Sequence, residues 1–217
     1  MDQFWRRGYE ATSVRDLAGA MSITGASLYN AFGDKRSLFR RCLHAYVDTY
    51  ARKRIAELDA SDDPIRGIRA FFDDLVEASL RDRRGCLLVN SAMEVAPWDA
   101  EFATLIEQCL LEIEDGFYRA LKRLPKGSFQ GSRDIRATAR LMLSAVIALR
   151  VLARAGGDGD RLRSVAKSAI ALAERSHTPW TTASPARRRR PRPSPPLDAD
   201  APWGSPPPAH SEAQPKI

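Results

Sequence analysis

From residue 34 to about residue 175, apolar side chains recur at a spacing near 3.6, and the period-2 alternation of strands is almost absent. That periodicity constrains the fold most. Each segment carries an apolar stripe that can be buried only against other helices, so the chain is expected to be all-α. The spacing predicts a helix over 34–58, marked by Leu38, Phe39, Cys42, Leu43, Tyr46, Val47 and Tyr50. A second runs over 64–82, opened by Pro64 at a first helical turn. A short apolar helix over 86–96 lies between Gly85 and Pro97, and Asp99 is placed to cap a long helix stopped by Pro125 and Gly127. The last two helices are expected over 132–155 and 160–175.

Proline sets the far boundary. Pro64, Pro97 and Pro125 are the three in the first 176 residues, and the other eleven fall in 177–217, beside the run Arg187–Arg190. So much Pro, Ser, Ala and Arg cannot bury enough apolar surface to offset ordering entropy, so 177–217 is expected to be a disordered Pro/Arg-rich tail. The net charge of +7 also sits at the ends. Residues 1–58 hold ten Lys/Arg against six Asp/Glu, whereas residues 59–176 balance. A basic N-terminal module points to a polyanionic partner.

Several classes are excluded by pattern. No apolar run is long enough for a membrane span, and the N-terminus lacks the layout of a secretory signal. Cys42, Cys86 and Cys109 are odd in number and widely spaced, so neither a disulfide framework nor a cysteine metal site is expected. The histidines are scattered, and no phosphate-cradling glycine loop or hydrolase motif occurs. No metal, cofactor or enzymatic activity is expected, and a cytoplasmic location is.

The segment 12–39, TSVRDLAGAMSITGASLYNAFGDKRSLF, carries the functional signal. Ser13 can cap a helix with Asp16 closing a capping box, and Val14, Leu17, Ala18 and Met21 form its apolar face. Ser22-Ile23-Thr24 breaks the pattern, and Thr24 caps a second short helix that buries Leu28. Two short helices crossing at small Ala18 through a tight turn describe a helix-turn-helix.

In order and spacing, Phe4, Gly8-Tyr9, Thr12-Ser13-Val14, Asp16-Leu17-Ala18, Leu28-Tyr29, Phe32, Gly33-Asp34-Lys35 and Leu38 resemble the N-terminal signature of the tetracycline-repressor (TetR) family of bacterial regulators. Segment 85–99, GCLLVNSAMEVAPWD, is similar to an element of one branch of that family. The resemblance implies a three-helix DNA-binding domain over 1–50 and a helical effector-binding and dimerisation domain over 51–176. It also implies a longer first helix than the three residues before Phe4 allow, so that helix is expected to be shortened. The implied function is a ligand-responsive regulator, most often a repressor, that binds a palindromic operator as a homodimer. The alternative is a helical dimeric ligand-binding or interaction protein that has lost DNA binding through the shortened helix.

The recognition helix would present Thr24, Gly25, Ser27 and Asn30 to base edges, with Tyr29, by resemblance, on phosphate. Lys35, at the start of the next helix, adds its charge to a helix terminus suited to phosphate, and Ser13 can offer a hydroxyl to phosphate or act simply as a cap. Asn90 and Glu94 lie four residues apart on an otherwise apolar helix. Facing inward, they would be the polar anchors of an effector pocket walled by Phe72, Met93, Phe102, Cys109, Phe117 and Met142, although plain core has the same spacing. Residues 137–153 are apolar on nearly every face, so one face needs a partner. Leu143, Ile147, Val151, Leu162 and Ala169 are the expected dimer contacts.

Overall fold

The computed structural model describes residues 1–125, 128–129 and 132–177, the side chains of 132–133 and 175–177 aside. The expected tail lies, from residue 178 onward, outside them. The described residues contain no strand. The chain runs α1 (Asp2–Arg7), α2 (Val14–Ala20), α3 (Gly25–Phe32), α4 (Lys35–Tyr46), α5 (Lys53–Ala60), α6 (Pro64–Arg81), α7 (Leu87–Glu94), α8 (Ala100–Lys122), α9 (Ser132–Arg154) and α10 (Gly159–His177).

Local chemistry starts the helices where the sequence places the caps. Ser13 Oγ accepts from the Asp16 amide at 3.1 Å while Asp16 Oδ2 accepts from the Ser13 amide at 3.0 Å, a complete capping box. Thr24 accepts from the Ser27 amide, Asp34 from Ser37, Asp63 from Ile65 and Arg66, and Asp99 from Glu101 and Phe102. Between α2 and α3, Ser22 has φ +55°. The Ile23 amide reaches the Ala18 carbonyl at 3.0 Å and Ser22 reaches Gly19 at 3.1 Å, the paired bonds of a Schellman turn.

One expected helix differs. The span 34–58 is a continuous helical run, but Val47–Arg52 is π-helical. Side chains there occupy main-chain acceptors four residues back: Thr49 Oγ1 donates to the Ala45 carbonyl at 2.7 Å and Arg54 Nη1 to the Tyr50 carbonyl at 2.7 Å. Such competition with the regular ladder accompanies a local widening of the helix.

Two cores form, and α8 serves both. Phe102, Ile106 and Cys109 on its first half join Phe4, Trp5, Leu17, Leu28, Phe39 and Leu43 of the N-terminal helices, together with Leu87 and Leu88 of α7. Ile113, Phe117 and Leu121 on its second half join α5, α6, α9 and α10 around the stacked rings of Phe72 and Phe117, 5.6 Å apart. The four N-terminal helices, α1–α4, thus share their core with α7 and α8, where three were expected over 1–50.

Candidate nucleic-acid interface and effector cavity

The helix-turn-helix is mounted from beneath. Leu28 is wholly buried, and Leu17 and Ala18 lie under it on α2. The opposite face of α3 is open: Thr24, Ser27, Tyr29 and Asn30 are exposed and Gly25 half-exposed. Thr24 and Ser27 hydroxyls share a 2.9 Å hydrogen bond, which fixes the first turn of α3. Tyr29 projects with half its surface free. A short helix with small polar side chains on its free face matches what a major groove admits.

Two expected phosphate contacts are engaged within the chain. Ser13 Oγ is 2.7 Å from Asp16 Oδ2, so its hydroxyl donates inward. The hydrogen bonds from Ser13 hold the Asp16 carboxyl below the usual carboxylate range. Lys35 is half-buried, with Nζ 3.0 Å from the Tyr9 carbonyl and 4.2 Å from the Tyr9 ring centroid. Its ammonium ties the N-terminus of α4 to the turn after α1.

Glu94 requires a correction in role. It does not point into the bundle: its Oε2 accepts from the Tyr9 amide at 3.1 Å and its Oε1 from Glu10 at 2.9 Å. Gly8 passes so close, with φ +88°, that a Cβ there would lie 2.5 Å from the carboxylate. Asn90 Nδ2 donates to the Arg84 carbonyl at 3.1 Å, bracing the entry to α7. Arg36 adds a further tie: its fork bonds Asp99 at 2.7–3.1 Å and its Nη1 bonds Glu101 at 2.7 Å. The Arg36 guanidinium holds the Asp99 carboxyl below the ordinary range. Arg40 pairs with the same Glu101.

The expected pocket walls divide into three groups. Asn90, Met93 and Glu94 line a cavity of about 430 Å³ between α1, α7 and α9, with Met93 79% exposed at its rim. Phe72, Phe117 and Met142 are sealed in the C-terminal core, and Phe102 and Cys109 in the N-terminal one. Those five are not cavity walls, because neighbouring helices close over them. Burial pushes the Cys109 thiol up to about 11. Sequence reasoning missed Trp5, Gly8, Tyr9, Arg36 and Arg150 as linking or lining residues. Gly8 and Tyr9 stand in the N-terminal signature, which does not reveal their linking role, and Arg150 left a signal as an arginine inside the apolar run of α9.

The dimer set is also revised. Leu162 and Ala169 are buried in the subunit's own core, as are Ala166 and Ala173, so the small residues of α10 pack inward. Leu143 and Ile147 are partly buried, and Leu143 packs on the same core. What faces outward on α9 is Leu141 and Val151, 55% and 49% exposed, with Ser144 between them. Among the described residues, no helix is long and apolar enough to cross a membrane.

Comparison with known proteins agrees with this geometry. Residues 1–42 match the family described as bacterial regulatory proteins, tetR family. Over 168 residues the chain is 34% identical to the uncharacterized HTH-type transcriptional regulator YezE of Bacillus subtilis (strain 168), covering 75% of this chain and 86% of that protein. It is 25% identical over 176 residues to the HTH-type transcriptional repressor ComR of Escherichia coli (strain K12), covering 79% and 84%. Among solved structures, a cysteine-substituted TetR family transcriptional regulator CifR, in complex with 26-bp double-strand operator DNA, matches with a TM-score of 0.70 and 29% identity, over 78% of this chain and 90% of that one. With its helix-turn-helix mounted on a helical bundle, the chain belongs to the tetR family of bacterial regulatory proteins and is a transcriptional regulator.

Proposed function

We propose that the protein represses transcription by binding a pseudo-palindromic operator as a homodimer, and that a small-molecule effector releases it. The observation that carries this is the free polar face of α3, fixed by the Thr24 cap below and by Leu28 inside. Thr24, Gly25, Ser27 and Asn30 are the base-reading set, and Tyr29 contacts phosphate at the groove edge. Residues 1–50 act as the DNA-binding domain and 51–176 as the effector-binding and dimerisation domain. Support for an operator as partner comes from CifR, seen with operator DNA, and support for repression comes from the repressor ComR.

Dimerisation uses the outward face of α9. Leu141 and Val151, left exposed on a helix whose other face is core, form an apolar stripe suited to a symmetry mate. Two recognition helices related by that axis would read two half-sites, so operator symmetry mirrors protein symmetry. An effector that favours another spacing of the two helices must, by reciprocity, bind less tightly when operator is present.

The test is a mobility-shift titration of the full chain against the DNA upstream of its own gene, repeated across salt concentrations. The expected result is a discrete complex that survives competitor DNA and weakens log-linearly with salt. Binding indistinguishable from that to random DNA would defeat the proposal.

A further inference from the structure

The cavity between α1, α7 and α9 is lined by a buried arginine with no counter-charge among the described residues and by a tryptophan whose indole N–H has no acceptor. Arg150 on α9 is 7% exposed and forms no ion pair among the described residues. Nη1 donates to Ser79 Oγ at 3.1 Å and Nη2 to the Gly85 carbonyl, both neutral acceptors. Asp82 feels the charge, but Arg84 takes both of its oxygens at 2.6–3.1 Å. Trp5 on α1 is 2% exposed, and its indole N–H has no acceptor. A buried cation without a counter-charge and a buried donor without an acceptor are each unfavourable, and native structures rarely keep them without a purpose.

Both residues line the same cavity. Its other charged walls are Arg7, Arg154 and Glu94, and the Glu94 oxygens already accept from the Tyr9 and Glu10 amides. Three arginines therefore line the cavity beside a single, already engaged carboxylate; Arg7 also pairs with Asp16 at 3.4 Å and Arg154 donates to the Arg84 carbonyl at 3.0 Å, which leaves Arg150 as the one of the three that is buried without a carboxylate partner. Phe4, Leu87 and Val89 supply apolar wall, enough to select an organic body over a bare inorganic ion.

On the reading that an effector governs operator binding, we propose that this cavity is the effector site and that it takes a small organic carboxylate. The carboxylate pairs with the Arg150 guanidinium. The arginine fork suits a planar two-oxygen acceptor better than a point ion. Because Trp5 belongs to α1 and Arg150 to α9, the ligand bridges the helix-turn-helix module and the C-terminal bundle. Occupancy then biases where the recognition helix sits relative to the bundle.

The experiment is calorimetric titration of the full chain, in low-chloride buffer without DNA, with benzoate, octanoate, benzamide, octanamide and inorganic phosphate. At least one carboxylate should bind, and its amide should bind roughly tenfold more weakly, since one good charged contact is of that order. Arg150→Met should cost the carboxylate about the same factor, with Arg150→Lys between. Circular dichroism melts of the variants confirm folding, and Arg150→Lys still tests the site if Arg150→Met does not fold. No carboxylate binding at low-millimolar concentration, an amide that equals its acid, phosphate that binds as well as the carboxylates, or an unaffected Arg150→Met would overturn the proposal. The same ligand added to the operator mobility shift separates the two claims. Arg150-dependent binding without operator release sinks the effector reading alone, and release by a molecule indifferent to Arg150 sinks this site alone.

Discussion

Gly8 and Glu94 form a contact whose energetics can be worked from the geometry. Gly8 has φ 88° and ψ 176°, a region that L residues other than glycine essentially avoid at a cost of about 1–3 kcal/mol. In Gly8→Ala the new Cβ would meet Glu94 Oε2 at 2.5 Å, Oε1 at 2.6 Å and Cδ at 2.8 Å. The carboxylate must swing away and abandon the Tyr9 and Glu10 amides. Hydrogen bonds to a charged acceptor are worth about 1.5–3 kcal/mol each, and partial exposure here favours the low end, so the pair contributes about 3 kcal/mol.

Gly8→Ala should therefore destabilise the protein by about 4–6 kcal/mol, and Glu94→Ala by about 3 kcal/mol. The double variant should cost no more than Gly8→Ala alone, because the carboxylate is already lost from its site. That leaves a coupling energy of about 3 kcal/mol, at the upper end for residues in direct contact. Urea denaturation followed by circular dichroism, with the three variants and wild type at one pH, measures it. Additivity within about 0.5 kcal/mol would show that Glu94 does not hold the turn after α1.

Ser22→Gly should raise stability by about 0.5–1 kcal/mol, because relief of a positive-φ serine exceeds the added chain entropy of glycine; a loss of stability in urea melts would contradict the turn geometry. If the protein dimerises through α9 as proposed, Leu141→Arg should yield a monomer in sedimentation velocity and abolish the proposed operator complex, and an unchanged dimer would move the interface off α9. Asp99, with its carboxyl held low by Arg36, stabilises the protein in full above about pH 4, and that contribution is lost as pH falls through its depressed value. The melting-temperature gap between wild type and Asp99→Asn should accordingly be present at neutral pH and close in acid; a gap that widened in acid would refute the tie. In native protein at mildly alkaline pH, mass spectrometry should find alkylation first at half-buried Cys86, whereas buried Cys42 and Cys109 react only on unfolding. Equal labelling of the three thiols would contradict their burial.

The sequence makes some of these features visible and hides others for a physical reason. Capping at Ser13, Thr24, Asp63 and Asp99 depends on partners two or three residues away, so it can be read locally. The same is true of the Ser22 turn and of Leu28 as the buried post of α3. Glu94 is different. Its spacing from Asn90 marks it as a polar residue needing a partner, but that partner is a pair of main-chain amides more than 80 residues earlier, with no side-chain signature. The alanines of α10 mislead similarly: small residues permit close helix approach without specifying whether the neighbour is α6, α9 or another subunit. Periodicity tells which face is apolar and is silent about what covers it.

The sharing of α8 between two cores has a mechanical consequence. Phe102 packs edge-on against Phe39 of α4 at 5.2 Å, and the residues before it, Asp99 and Glu101, hold Arg36 and Arg40 of that same helix. About three turns further on, at Ile113, α8 enters the core around Phe117. Close-packed interiors do not deform smoothly, so a shift of α7 or the start of α8 must carry α4 with it or break these contacts outright. Glu94 applies the same constraint to the turn after α1, and Lys35 closes the loop by joining that turn to α4. The helix-turn-helix is therefore fastened at three points to one short stretch of chain, residues 94–102. A ligand that moves that stretch by a fraction of an ångström has a direct route to α3, with no chain of intermediates required.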